Sequence, residues 1–210
     1  MAFRAEVRRA LAQGAGMTLA QAFAAPKVTV IVADAAVTER DVVALSELAE
    51  ALVRVGTPRG RCMLLLAGGR TPDAAARERA KQLRATLGMP VALHDPAHAS
   101  DWPGRELAGF GPLALDDELR EAEAVVLVGR FAREHGALHG GPALLLPGLA
   151  DAATRARWEA HGARERASFD VLGLVEVDWA LVWDAADPPH VRAGTGAALF
   201  AGGPEGAPVA

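Results

Sequence analysis

Apolar positions along the chain follow two rhythms. Continuous apolar runs at Lys27–Ala33 (KVTVIVA), Cys62–Ala67 (CMLLLA), Val91–His94 and Ala124–Val128 have the pattern of strands buried on both faces. Between them the spacing becomes helical. Phe3, Val7, Ala10 and Leu11 share one face over residues 3–13, and Thr18–Phe23 forms a second short helical patch. From Thr38 to about Val55, Val42, Leu45, Leu48, Leu52 and Val55 line one side of a longer helix. Thr38 is its N-cap, Asp41 stands in for the usual Glu of a capping box, and Gly56 stops it. Residues 73–87 make an Arg-rich helix ended by Gly88, and Asp116–Ala122 a short one. The alternation β-α-β-α-β-α-β predicts an α/β protein: a mainly parallel, Rossmann-like sheet covered by helices, in a single domain.

Other stretches are less regular. Residues 95–114, rich in Gly, Pro and Asp, are expected to form a long loop, unusual in a compact domain unless it has a task. After Pro147-Gly148 the pattern predicts a charged helix over 150–167, an apolar segment Val171–Trp183 compatible with strand or helix, and a turn at Asp187-Pro188-Pro189. A last strand is expected at 197–201. The domain boundaries are set at 1–26 (an amino-terminal helical extension), 27–203 (the α/β domain) and 204–210 (a disordered tail).

Composition narrows the function. Of 210 residues 51% are hydrophobic and 23% charged, as in an ordinary soluble domain, and the formal net charge is −4. With no basic run and no Tyr, a nucleic-acid partner is excluded, and the apolar runs are too short for a membrane span. The single cysteine, Cys62, allows no internal disulfide, and a cytoplasmic location follows by default.

The candidate chemistry gathers at predicted strand ends, where open α/β sheets hold their ligands. Asp34 ends the first strand. Gly68-Gly69-Arg70 ends the second, with backbone N–H groups open to an anion and a guanidinium able to clamp a carboxylate or phosphate. After the fourth strand come His135 and His139, four apart, and then Gly140-Gly141. The two histidines are either a metal or acid–base pair or two incidental loop residues, since no Glu follows His135 as in zinc proteases. His94 and His98 flank Asp95-Pro96. Ser100 and Ser168 lack elbow glycines, and neither a Walker loop nor GxGxxG occurs.

The succession VTVIVAD, LLLAGGR, HDP at 94–96, EAEAVVLVG and HGGPALLLPGLADAAT, followed by VDWALVW and FAGG, resembles the amino-terminal domain of the nickel-pincer lactate racemase family over residues 27–203. The resemblance implies an isomerase of 2-hydroxy acids in which a lysine-tethered nickel pincer nucleotide takes up a hydride while two histidines act as acid and base. Asp34 and Arg70 match the family's first two motifs. However, Ala36-Val37-Thr38 replaces Thr-Arg-Pro, Gly69 stands where the first catalytic His belongs, and Ala143 where the tethering Lys belongs. The second catalytic His falls near Arg133, or on His135 with a two-residue gap, and the nickel ligand near Glu159, with His161 two residues away.

Three readings follow. The first is a divergent, non-catalytic homologue without cofactor that keeps a small-anion crevice of Asp34, Gly68, Gly69, Arg70, Gly140 and Gly141. The second is an active racemase or epimerase using His135 or His139, with His135, His139 and His161 as metal ligands and the cofactor held non-covalently. The third is an interaction module that completes a cleft with another copy or a partner chain.

Overall fold

The computed structural model describes residues 2–68, 70–134 and 137–201, without the side chains at 103–104, 133–134 and 137–138. Helices α1 (Ala2–Ala12) and α2 (Leu19–Ala22) precede β1 (Thr29–Asp34), α3 (Glu39–Arg54), β2 (Cys62–Ala67), α4 (Ala74–Leu87) and β3 (Val91–Leu93). A hairpin of β4 (Ala99–Leu107) and β5 (Gly111–Asp116) leads through α5 (Glu118–Glu121) to β6 (Ala124–Arg130). Short strands β7 (Ala132–Glu134) and β8 (Ala137–His139), a 3-10 turn at Gly141–Leu144, α6 (Ala152–Ala160) and α7 (Arg164–Asp170) follow. The chain continues through β9 (Val177–Trp183), β10 (Val191–Gly194) and α8 (Gly196–Leu199).

Among the described residues the main sheet has the order β10-β9-β6-β1-β2-β3. Its pairings are parallel except that of β10 with β9, so the α/β fold read from the sequence holds. The continuous apolar runs are explained by cover on both faces. Along β1, Ile31 and Ala33 enter one apolar cluster while Val30 and Val32 enter the other. Helices α1 to α4 cover the first face with Val7, Phe23, Leu48 and Leu83. The hairpin, the turn at 144–150 and α7 cover the second with Leu113, Leu115, Leu146 and Phe169. Burying each such side chain contributes about 1.5–3 kcal/mol.

Local signals fix the helix ends. Asp41 N donates to Thr38 Oγ1 and Thr38 N to Asp41 Oδ2 at 2.7 Å, closing the expected capping box. Gly88 ends α4 at φ 64°, a left-handed conformation that favours glycine. Helix α1 is clamped to α3 by Arg8, whose guanidinium makes 2.7 and 3.0 Å bonds to the buried Glu47 carboxylate, and by Arg4 at 3.2 Å. Both edges of the sheet are short or covered. Strand β3 has three residues, and on the far side of β10 Ala15 N donates to Ala193 O at 2.8 Å while Thr195 N donates to Ala15 O at 3.1 Å. A Cβ on Gly194 would lie 2.4 Å from Ala15 O, so only glycine allows this approach.

Several expectations are corrected. Residues 95–114 are not a long loop but mostly the β4–β5 hairpin, its apolar pattern broken up in sequence by Pro103, Gly104, Gly109 and Gly111. The stretch after β6 holds the paired strands β7 and β8 rather than a loop alone. The helix expected over 150–167 is two helices, α6 and α7, separated around Gly162. Val171–Trp183 divides into a 3-10 turn, Val171–Gly173, and strand β9. Residues 197–201 form no strand: Thr195 caps α8 there, accepting from Ala198 N at 3.3 Å, and the last strand is Val191–Gly194. The predicted tail, 204–210, lies outside the described residues, and no helix among the described residues is long and apolar enough to cross a membrane.

Candidate functional site

The order β3-β2-β1-β6-β9 reverses between β1 and β6, because the chain builds outward from β1 to β3 and then returns to build the other side. At such a switch the loops part and leave a crevice at the strand carboxyl ends. Asp34 is the last residue of β1 and is exposed. Its Oδ1 accepts from Ala36 N at 2.7 Å, which turns the chain toward α3. Ala35 N then donates to Ala67 O at 2.9 Å, so the loops after β1 and β2 start side by side.

Gly68 lies in that contact: a Cβ there would be 3.2 Å from Ala35 Cβ. Arg70 follows, exposed and without an ion pair or hydrogen bond among the described residues. Strands β1 and β2 run ~4.8 Å apart, within reach of one small molecule for the side chains that leave them. From α4, Arg79 donates to Ala35 O at 3.2 Å and brings a second guanidinium to this edge. Gly69 and His135 lie outside the described residues.

Gly140 and Gly141 stand at the carboxyl end of β6. A Cβ on Gly140 would be 1.7 Å from Arg130 O, and one on Gly141 2.8 Å from the Phe131 ring. Both glycines are thus closely packed, Gly140 against the end of β6 and Gly141 against the rings of Phe131 and Phe200. His139 is exposed on β8, paired in register with Ala132. His161 ends α6, where its Nδ1 accepts from Ala163 N at 3.2 Å and its ring meets Phe110 edge-on at 5.6 Å. Glu159 is engaged by Arg155 at 3.0 Å. The structure thus brings Asp34, Gly68 and Arg70 to one edge, with Gly140-Gly141 beside the next strand, and seats His161 against the hairpin.

Two histidine–carboxylate pairs escaped the sequence reading. His94, at the end of β3, does not open into the crevice. It is fully buried, with Nδ1 2.7 Å from Asp116 Oδ2 and Nε2 3.1 Å from the carbonyl of Ala150, which can only accept a hydrogen. The second pair joins Asp184, just past β9, to His190, just before β10, at 2.6 Å. Burial pushes the Asp184 carboxyl up, but the N–H groups of His190 and Ala186 and the His190 ring together outweigh it and hold the carboxyl below its ordinary value. Neither pair has a sequence signal, because the partners lie 22 and 6 residues apart outside any motif.

The donor set does not suit a lysine-tethered nickel pincer nucleotide. Ala143, on the Gly141–Leu144 turn, offers a methyl group where a nucleophilic amine is needed. No three His, Cys, Asp or Glu side chains among the described residues converge as a metal site.

No protein-family model matches the chain, and no curated protein matches it by sequence. Among solved structures it is similar to the lactate racemase apoprotein from Thermoanaerobacterium thermosaccharolyticum, with a TM-score of 0.73 at 17% identity over 97% of this chain and 54% of that one. A crystal structure of a protein from Thermotoga maritima is similar with a TM-score of 0.57 at 15% identity, over 90% of this chain and 52% of that one. The chain therefore spans about half the length of these structures, and it has the fold of that part of the racemase apoprotein.

Proposed function

We propose that the protein is a divergent lactate-racemase-like domain that binds a small anion at the carboxyl end of its sheet and performs no racemisation. The observation carrying this reading is an exposed Arg70, without a partner among the described residues, in the loop that leaves β2 beside the end of β1, where Asp34 stands, at the fold's switch point. A guanidinium in that place holds a carboxylate or phosphate bidentately, and Asp34 selects for a ligand with a hydroxyl or other donor beside the anionic group. Gly69 and Ala143, at the positions of the family's first acid–base histidine and its tether, support the loss of catalysis, since neither side chain can move a proton or form a covalent link. No nickel cofactor is assigned to it.

Calorimetric titration with D-lactate, L-lactate, pyruvate and inorganic phosphate tests the reading. Saturable binding of at least one anion is expected, weakened about tenfold or more in Arg70→Ala while the thermal midpoint stays put. Equal binding by the parent and Arg70→Ala would remove Arg70 as anchor. Stoichiometric nickel together with lactate racemisation, in protein made alongside the cofactor's biosynthesis, would overturn the loss of catalysis and return attention to His135 and His139.

A further inference from the structure

The β4–β5 ladder breaks between Asp101, paired with Ala114, and Glu106, paired with Pro112. Residues 102–105 thus stand against Leu113 alone, an enlarged bulge of the kind that re-aims side chains. This bulge carries Trp102 and Arg105 over the amino-terminal edge of the main sheet, opposite the edge of Asp34 and Arg70. There they line a cavity of about 400 Å³, open to solvent on one side and bounded by α5, the starts of β6 and β9 and the turn before β9. The volume lies within the ~300–1,000 Å³ typical of small-molecule sites.

The charges around this cavity differ in what already occupies them. Lys27 is paired with Asp178 at 2.8 Å, Arg120 with Asp117 and Ser100, and Glu123 accepts from Val28 N at 2.6 Å. Arg105 and Glu176 line the same cavity, are exposed, and have no partner among the described residues. Trp102 is only 9% exposed, and its Nε1–H is buried without an acceptor among the described residues. Native interiors rarely leave a buried donor unsatisfied unless a water or ligand supplies the partner. Leu119, Leu174 and Val175 give the cavity an apolar wall.

We propose that this cavity is a second binding site, for a small zwitterion with an apolar side chain, such as a free α-amino acid. Arg105 takes the carboxylate through its forked N–H donors, Glu176 takes the ammonium, and the aliphatic side chain lies on Leu119, Leu174 and Val175. An uncharged apolar ligand would leave both free charges unanswered, and a simple anion would meet Glu176 unfavourably. The site is separate from the Arg70 crevice and stands or falls independently of it.

The test is titration of the whole protein with L-leucine, with 3-methylbutylamine, which lacks the carboxylate, and with 4-methylpentanoate, which lacks the ammonium, followed by calorimetry and tryptophan fluorescence. Saturable leucine binding is expected, with each truncated analogue at least about tenfold weaker. Arg105→Ala and Glu176→Gln should each weaken leucine at least tenfold with unchanged thermal midpoints, because both side chains are exposed, and Arg70→Ala should leave it unaltered. Trp102→Phe should abolish most of the fluorescence change. No saturable leucine binding, leucine binding that survives Arg105→Ala, or 4-methylpentanoate binding as tightly as leucine would each overturn the proposal.

Discussion

Replacing His94 by Ala should be among the most damaging single changes in the protein. The imidazole is fully buried and joins three separate segments: the end of β3, Asp116 at the end of the hairpin, and the Ala150 carbonyl. Asp116 is itself only 5% exposed, and its remaining bond, from Glu118 N at 3.2 Å to Oδ1, does not replace the lost partner at Oδ2. Removing one member of a buried pair typically costs ~3–5 kcal/mol, mostly the desolvation of the group left behind. For a chain of this size that corresponds to a drop of roughly 6–20 °C in the unfolding midpoint, taking about 2–4 °C per kcal/mol. Urea unfolding followed by far-ultraviolet circular dichroism would measure it, with an unchanged slope showing that the transition remains comparable. A cycle through His94→Ala, Asp116→Ala and the double variant should give a coupling of about 2 kcal/mol or more, because the second deletion removes the stranded group. A loss under about 1 kcal/mol for His94→Ala, or additivity within ~0.5 kcal/mol, would refute the reasoning and make the pair incidental.

Four further outcomes are expected. Gly140→Ala, whose Cβ would fall 1.7 Å from Arg130 O at a φ of 72°, should cost at least ~3 kcal/mol in the same assay, whereas Gly109→Ala, also at positive φ but with open space around it, should cost only ~1–2 kcal/mol. Thr38→Ala should lose ~1 kcal/mol through its capping box. Because the Asp184 carboxyl is held below its ordinary value of ~3.9, the stability it supplies is present above that pH and lost as pH falls through the folded value; Asp184→Asn should flatten the acid limb of a stability–pH profile. Burial pushes the Cys62 thiol up to about 11, so at pH 8 a thiol reagent should label the native protein no faster than it unfolds, while immediate labelling would contradict the buried placement.

What the sequence discloses depends on how local the cause is. Strands β1, β2 and β6 are legible because a strand covered on both faces must be apolar throughout, and α3 because its capping box and its stop lie within its own length. The β4–β5 hairpin is hidden because its glycines and prolines, which punctuate loops elsewhere, here belong to a bulge and a turn inside a paired structure. Asp34 and Arg70 are legible as a candidate site because topology alone sends strand ends to one edge. The glycine pair at 140–141 illustrates the reverse case. A pattern that suggests an anion cradle is also required as glycine by the carbonyl of Arg130 and the ring of Phe131, neighbours that no local reading supplies. The partnership of His94 with Asp116 is equally non-local, since it depends on how the hairpin lies against the end of β3.

The hydrogen bonds between Ala15 and the outer side of β10 also bear on solubility. A free strand edge presents unpaired amide and carbonyl groups on which another chain can add itself, and natural proteins cover such edges at some cost. Here the cover comes from the opening segment of the chain, held in turn by Arg4 and Arg8 on Glu47. A chain begun at residue 27 would keep the strands of its main sheet but expose Val191–Gly194 to every other copy in solution. Sedimentation of such a truncated chain should therefore show concentration-dependent association, whereas the 210-residue chain keeps this edge covered by Ala15.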